Sequence, residues 1–195
     1  ARLKLSYEDV RAVNPKIVYC GMFGFGQDGR YRDKPAYDTI LQGSGGMAAL
    51  HHRATGEPRY VPMVVADKVV GLIAVQMIAM ALYQRTRTGE GCSIHVPMFE
   101  NLVKFVLEEH LYLKTFEPPL GGTGDPRLLD PLGKPIPTKD GWICMSANTN
   151  EQAFAFFAAI GRPELKDDPR FSSVQARFDN VAAYFEIRMQ SLKTK

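Results

Sequence analysis

The 195-residue sequence holds only three cysteines, Cys20, Cys92 and Cys144. They lie far apart and form no CxxC pair, which argues against a zinc site or a disulfide framework and suits a reducing cytoplasm. No block of like charge is present. Lysine plus arginine (24) nearly balances aspartate plus glutamate (21), and the net +3 is spread too evenly to draw nucleic acid. No long apolar run is present either: Val69 to Tyr83 is interrupted by Gly71 and Gln76 and falls short of the roughly 18 apolar residues of a membrane span, so it reads as a buried helix. Ala1-Arg2-Leu3-Lys4-Leu5 lacks the apolar centre of a signal peptide. No serine sits in a GxSxG elbow and no cysteine has an evident basic partner, so the familiar hydrolase arrangements lack support. His51 and His52 are adjacent rather than four apart and do not form a helical metal pair, while His95 and His110 stand alone in structural or surface positions, so no metal site is expected. What remains is ordinary: 45% hydrophobic and 23% charged residues exclude disorder and a collagen-like chain.

Local signals give an alternation of helix and strand. Ser6 with Glu8 and Asp9 starts a helix through about Val13, and Asn14-Pro15 stops it. Ile17 to Cys20 is a β-prone run, followed by a glycine-rich loop. Helix is expected from Ala36 to about Leu50, weakened by Gly43, Gly45 and Gly46, and from Asp67 to Arg87 with Gly89 just beyond its end. The second of these is apolar on all sides near its middle, which predicts an internal position. Ser93 to Val96 reads as a strand, and Pro97 opens a helix running to about Thr115. This order points to an α/β unit with a parallel sheet. Between Glu117 and Thr138 stand six prolines and four glycines, a loop or crossover. Beyond it come a strand over Trp142 to Ser146, a helix over Glu151 to Ile160 stopped by Gly161, and a final helix from about Val174 to Leu192. The expected organisation is 1–115, a linker or active-site loop over 116–138, and a smaller part over 139–195.

Among chemical candidates, Gly24-Phe25-Gly26-Gln27-Asp28-Gly29 has the GxGxxG form after a strand. A dinucleotide site needs a helix N-terminus directly behind it, and Pro35 prevents a clean start, so the glycines read as a loop with several positive φ angles. Arg30, Arg32 and Lys34 form a small basic group that suits a phosphate or is simply solvated. Asp67, after Val64-Val65-Ala66, stands at the mouth of the apolar helix, where the helix dipole and free amides favour an ionised carboxylate. It is a candidate nucleophile toward an activated carbonyl, or a plain capping residue.

Taken together, the sequence resembles the family III CoA-transferases of the CaiB/BaiF type, which include formyl-CoA and carnitine CoA-transferases. The residues carrying the resemblance run from Asn14-Pro15-Lys16-Ile17-Val18-Tyr19 into Gly24-Phe25-Gly26-Gln27, then Lys34-Pro35-Ala36-Tyr37-Asp38 and Ala66-Asp67. They continue through Arg85 to Gly91, Asp140-Gly141-Trp142 and Gly161 to Phe171. The resemblance implies part of a Rossmann-like parallel-sheet large domain followed by a smaller α+β domain. It implies CoA transfer from an acyl-CoA to a carboxylic acid through an aspartyl anhydride and an aspartyl-CoA thioester, with no prosthetic group. Asp67 matches the catalytic aspartate, Lys34, Pro35, Ala36 and Tyr37 the CoA-contacting segment, and Gly121, Gly122 and Gly124 the family's glycine loop. The likeness also implies a homodimer of the full-length protein, while the cysteine usage, charge and hydropathy read above lead to the expectation of a cytoplasmic protein that binds neither membrane nor nucleic acid. The α-methylacyl-CoA racemases of this fold place a histidine before the aspartate of the second loop, where this chain has Tyr37-Asp38; His51 or His52 would have to replace it. Family members are longer, so the sequence reads as the middle of an enzyme, with a noncatalytic fragment or assembly module as a further alternative.

Overall fold

Ser6 caps the first helix, Tyr7–Val13 (α1): its hydroxyl accepts from the Asp9 amide while the Asp9 carboxylate accepts from the Ser6 amide. The computed structural model describes residues 3–193. After Asn14-Pro15 comes the strand Val18–Phe23 (β1), then the helices Asp38–Ser44 (α2), Met47–Thr55 (α3) and Val65–Thr88 (α4). The strand Cys92–Pro97 (β2) leads into the helix Met98–His110 (α5) and a 3-10 turn at Tyr112–Thr115. β1 and β2 pair in parallel, from Val18 opposite Cys92 to Phe23 opposite Pro97. A parallel pair needs a long crossover, which here is α2 to α4. Further on lie the short helix Pro126–Leu129 (α6) and the antiparallel two-residue strands Ile136–Pro137 (β3) and Trp142–Ile143 (β4). The helices Asn150–Ala159 (α7), Val174–Asp179 (α8) and Val181–Leu192 (α9) complete a mixed helix-and-sheet fold with a small parallel sheet.

The chain divides into two compact units, one over 1–52 and 57–122, the other over 53–56 and 123–195. In the first, Val70, Ala74 and Ala81 of α4 pack with Ile94 and Val96 of β2, and a second cluster joins Phe25, Leu41, Ala66 and Leu102. The core of the second unit gathers Phe156 and Phe157 of α7, Leu165, Phe171 and Tyr184. Buried Arg177 serves this core by donating to the Phe171 carbonyl (2.8 Å) and the Asn150 side-chain oxygen (3.0 Å). A buried guanidinium with every bond directed at neutral oxygens holds loops in place rather than forming an ion pair.

Several sequence expectations are corrected. The helix expected over 36–50 is two helices, because Gly46 takes φ +92° and Gly45 lies against Leu102, leaving no continuous helical path. The final helix is likewise two, closed at Asn180, whose amide and side chain both donate to the Ala176 carbonyl. The helix expected to reach Thr115 ends at His110, and the strand expected to reach Ser146 ends at Ile143. α4 starts at Val65, two residues early, and its end is as expected: Gly89 takes φ +76° and its amide bonds the Arg85 carbonyl. Its middle is not internal in this chain. Leu72, Val75, Met80 and Tyr83 are exposed, and only 22% of its most apolar 18-residue stretch is buried. By length and composition α4 could cross a bilayer; here its Val70, Ala74 and Ala81 stripe packs on the sheet.

Candidate active site

α4 begins without a capping residue of its own. Its N-cap position is Val64, whose side chain accepts nothing, and the two residues after it are Val65 and Ala66. The missing acceptor comes from 28 residues earlier. Asp38, the first residue of α2, is buried and accepts from the Ala66 amide at 2.7 Å and the Asp67 amide at 3.4 Å through Oδ1. These are the N2 and N3 amides of α4, two of the four donors that any helix start leaves open. The other oxygen of Asp38 accepts from Gln42 Nε2 at 2.6 Å. Gln42, also buried, ties down the chain before α4: its Nε2 donates to the Met63 carbonyl (3.1 Å), and its Oε1 accepts from the Val61 amide (2.8 Å). One carboxylate and one carboxamide thus fix the entry to α4.

Asp67 stands on that first turn, at N3. Its side chain is exposed, and its carboxylate makes no hydrogen bond or ion pair among the described residues. The expectation that Asp67 would draw on free helix amides is therefore corrected: Asp38 occupies them, and Asp67 is not the N-cap.

The segment leading to Asp38 carries the other expected residues. Lys34, Pro35 and Tyr37 are exposed, Ala36 is half-buried, and Tyr37 is the N-cap position of α2. Lys34 Nζ lies 5.7 Å from the centre of the Tyr31 ring and the Arg30 guanidinium 4.7 Å from it, so two cations share one aromatic ring beside the glycine-rich loop. Arg32 instead pairs with Asp33. The glycines of this loop do not take left-handed angles, contrary to expectation; among the described glycines positive φ belongs to Gly46, Gly56, Gly89, Gly124 and Gly161. They are there for close approach. A β-carbon on Gly24 would fall on that of Ala36, and one on Gly26 would lie 2.7 Å from Glu100 Oε1, which accepts from the Gly26 amide. The first helix after the motif starts at Asp38, beyond Pro35, so the glycines do not run directly into a helix start as a dinucleotide fold requires.

The structure thus joins Lys34–Tyr37 to Asp67 through Asp38. Within the same unit it does not do so for Gly121 and Gly122. Gly121 abuts Leu113, Gly122 has open space around it, and Gly124 (φ +94°) is backed by Arg53, which donates to the Thr123 carbonyl at 2.9 Å. None of these contacts involves Asp67. A cavity of about 850 Å³ lies elsewhere, between the C-terminal half of α4 and β2, lined by Met77, Met80, Tyr83, Ile94 and His95. Among the described residues no cluster of three or more histidine, cysteine or acidic side chains is placed to hold a metal ion. Gln42, and the role of Asp38 as the cap of α4, are what the sequence reading passed over. The pointer to them was the run Val64-Val65-Ala66: a helix with no polar residue at its start must borrow a cap.

The profile of CoA-transferase family III matches residues 1–194. The chain belongs to this family. Among its family III relatives, a succinate–glutarate CoA-transferase of Agrobacterium fabrum is 32% identical over 190 residues, covering 96% of this chain and 46% of that protein. A formyl-CoA:oxalate CoA-transferase of Streptomyces avermitilis is 31% identical, covering 95% and 49%. Two solved structures share the fold. One is a CAIB/BAIF family protein from Brucella suis (TM-score 0.72, 27% identity, 100% of this chain and 51% of that one). The other is a hypothetical protein from Mycobacterium tuberculosis (TM-score 0.79, 25% identity, 100% and 51%). The family III chain described here therefore spans about half the length of the relatives it matches.

Proposed function

We propose that the protein containing this chain transfers CoA from an acyl-CoA to a carboxylic acid, with Asp67 as the nucleophile. The observation that carries the reading is the exposed, unpaired Asp67 carboxylate on a first helical turn whose amides another carboxylate already fills. A carboxylate is a weak nucleophile unless it is held in place, and a fixed helix turn supplies that placement. An Asp67 oxygen attacks the thioester carbonyl and expels CoA thiolate, leaving an acyl-aspartyl anhydride. The thiolate then attacks the aspartyl carbonyl, releases the donor acid and forms an aspartyl-CoA thioester. The acceptor carboxylate attacks that thioester, and the freed thiolate takes the acceptor acyl group from the new anhydride, restoring Asp67.

In this reading Lys34, Pro35, Ala36 and Tyr37 contact CoA; the paired cations at Tyr31 support a phosphate nearby. Gly121, Gly122 and Gly124 would supply amides to the oxyanion. The first unit belongs to a Rossmann-like large domain and the second to a smaller α+β domain. The whole protein is a cytoplasmic homodimer. Two findings favour transferase over racemase: Tyr37 rather than histidine precedes Asp38, and the relatives named above are CoA-transferases.

The test is incubation of the full-length protein with acyl-CoA and a panel of carboxylic acids, wild type beside Asp67→Asn, following CoA esters by mass. Wild type exchanges CoA and the variant does not; unimpaired exchange by Asp67→Asn removes the nucleophile assignment. Exchange of the α-proton with no CoA transfer selects the racemase.

A further inference from the structure

We infer that Asp38 is a positioning residue for the transfer reaction, acting through Asp67 rather than on the substrate; this rests on the reading of Asp67 as nucleophile. Three observations carry it. The first turn of α4 has no local cap, so its geometry depends on a side chain from α2. The acceptor is a buried carboxylate with both oxygens engaged, Oδ1 by the Ala66 and Asp67 amides and Oδ2 by Gln42. Gln42 in turn holds Val61 and Met63, so the strap entering α4 and the turn bearing Asp67 are fixed by one network.

The chemical consequence concerns what Asp67 is prevented from doing. An acidic side chain in the first turn of a helix ordinarily gains from the open amides at that end, and such contacts tame the carboxylate. Here those donors are spoken for. The Asp67 carboxylate accepts from neither of them and lies exposed, its lone pairs unspent among the described residues. Asp38 also places a second negative charge at the positive end of α4, which further disfavours the inward rotamer of Asp67. Its burial keeps it out of the reaction itself: one aspartate caps, and the other reacts.

The test uses the full-length enzyme and reads the chemical step per active site. Asp38→Asn is nearly isosteric but turns an NH2 toward Gln42 Nε2, a donor against a donor, and weakens the acceptor at the two amides. Quenched single-turnover reactions with acyl-CoA, with the Asp67–CoA adduct counted by peptide mass, should show formation slowed on the order of 100-fold in Asp38→Asn. KM for acyl-CoA should change by less than about threefold. A purely structural role would instead lower the number of titratable sites at an unchanged rate per site. Asp38→Glu, which keeps two acceptor oxygens, should recover part of the rate. If Asp38→Asn does not fold, Gln42→Met, which releases Oδ2 of Asp38, should slow adduct formation by about tenfold. A wild-type rate per site in the folded Asp38 variant, or in Gln42→Met when that stands in for it, overturns the inference. Asp67→Asn runs alongside: if it forms no adduct while Asp38→Asn forms it at the wild-type rate, the inference alone falls, and if Asp67→Asn keeps turnover, both fall.

Discussion

Gly24 has no room for a side chain, since the β-carbon of Ala36 occupies the space one would take. Gly26, two residues on, faces Glu100 in the same way and donates its amide to it. These contacts pin the loop between Ala36, which leads into Tyr37 and Asp38, and the first turn of α5. Gly24→Ala should therefore destabilise the protein by about 1–3 kcal/mol through forced backbone movement, read as a lowered urea midpoint with an unchanged slope. The sequence makes the glycine motif visible but not its reason. A positive-φ loop and a close-approach loop look alike along the chain, and the partners that decide between them lie 12 and 74 residues away. The same holds at the proposed nucleophile. Asp67 could be picked out from its place before an apolar helix, whereas the carboxylate that caps that helix belongs to another element.

Element boundaries are legible where chemistry is local and illegible where it is not. The Ser6/Asp9 capping box and the left-handed Gly89 mark their helix ends in sequence and in structure. The break between α2 and α3 could be seen only as weakness, because Gly45 matters for its fit against Leu102, a residue of α5. α4 offers a paired measurement. Gly89 holds φ +76° with open space around it, so Gly89→Ala should cost roughly 1–2 kcal/mol from backbone strain alone. Gly71 also has open space but lies within the helix, so Gly71→Ala should stabilise by about 0.5–1 kcal/mol. Thermal unfolding of the two variants should shift in opposite directions, and a shared direction would mean that α4 is not the helix described.

For the molecule as a whole, α4 sets the surface character. An all-round apolar helix reads as internal in the sequence, yet Leu72 (67% exposed), Val75 (64%) and Met80 (66%) face outward here. Hydrophobic periodicity tells how much of a helix wants cover; it does not tell which polypeptide supplies it. The 195 residues alone should therefore bind the dye ANS strongly and self-associate as concentration rises, measured by fluorescence and light scattering. A Leu72→Glu/Val75→Lys/Met80→Glu variant should lose most of that dye signal. Retention of it would place the dye on apolar surface other than this face of α4.

The pairing of Val18–Phe23 with Cys92–Pro97 has a consequence during synthesis. Val18 meets Cys92, so β1 leaves the ribosome 74 residues ahead of its partner. At translation speeds of about 5–20 residues per second, that is a wait of roughly 4–15 s. For that interval the nascent chain displays an unzipped backbone, the kind of surface that holdase chaperones and misdirected neighbours compete to occupy.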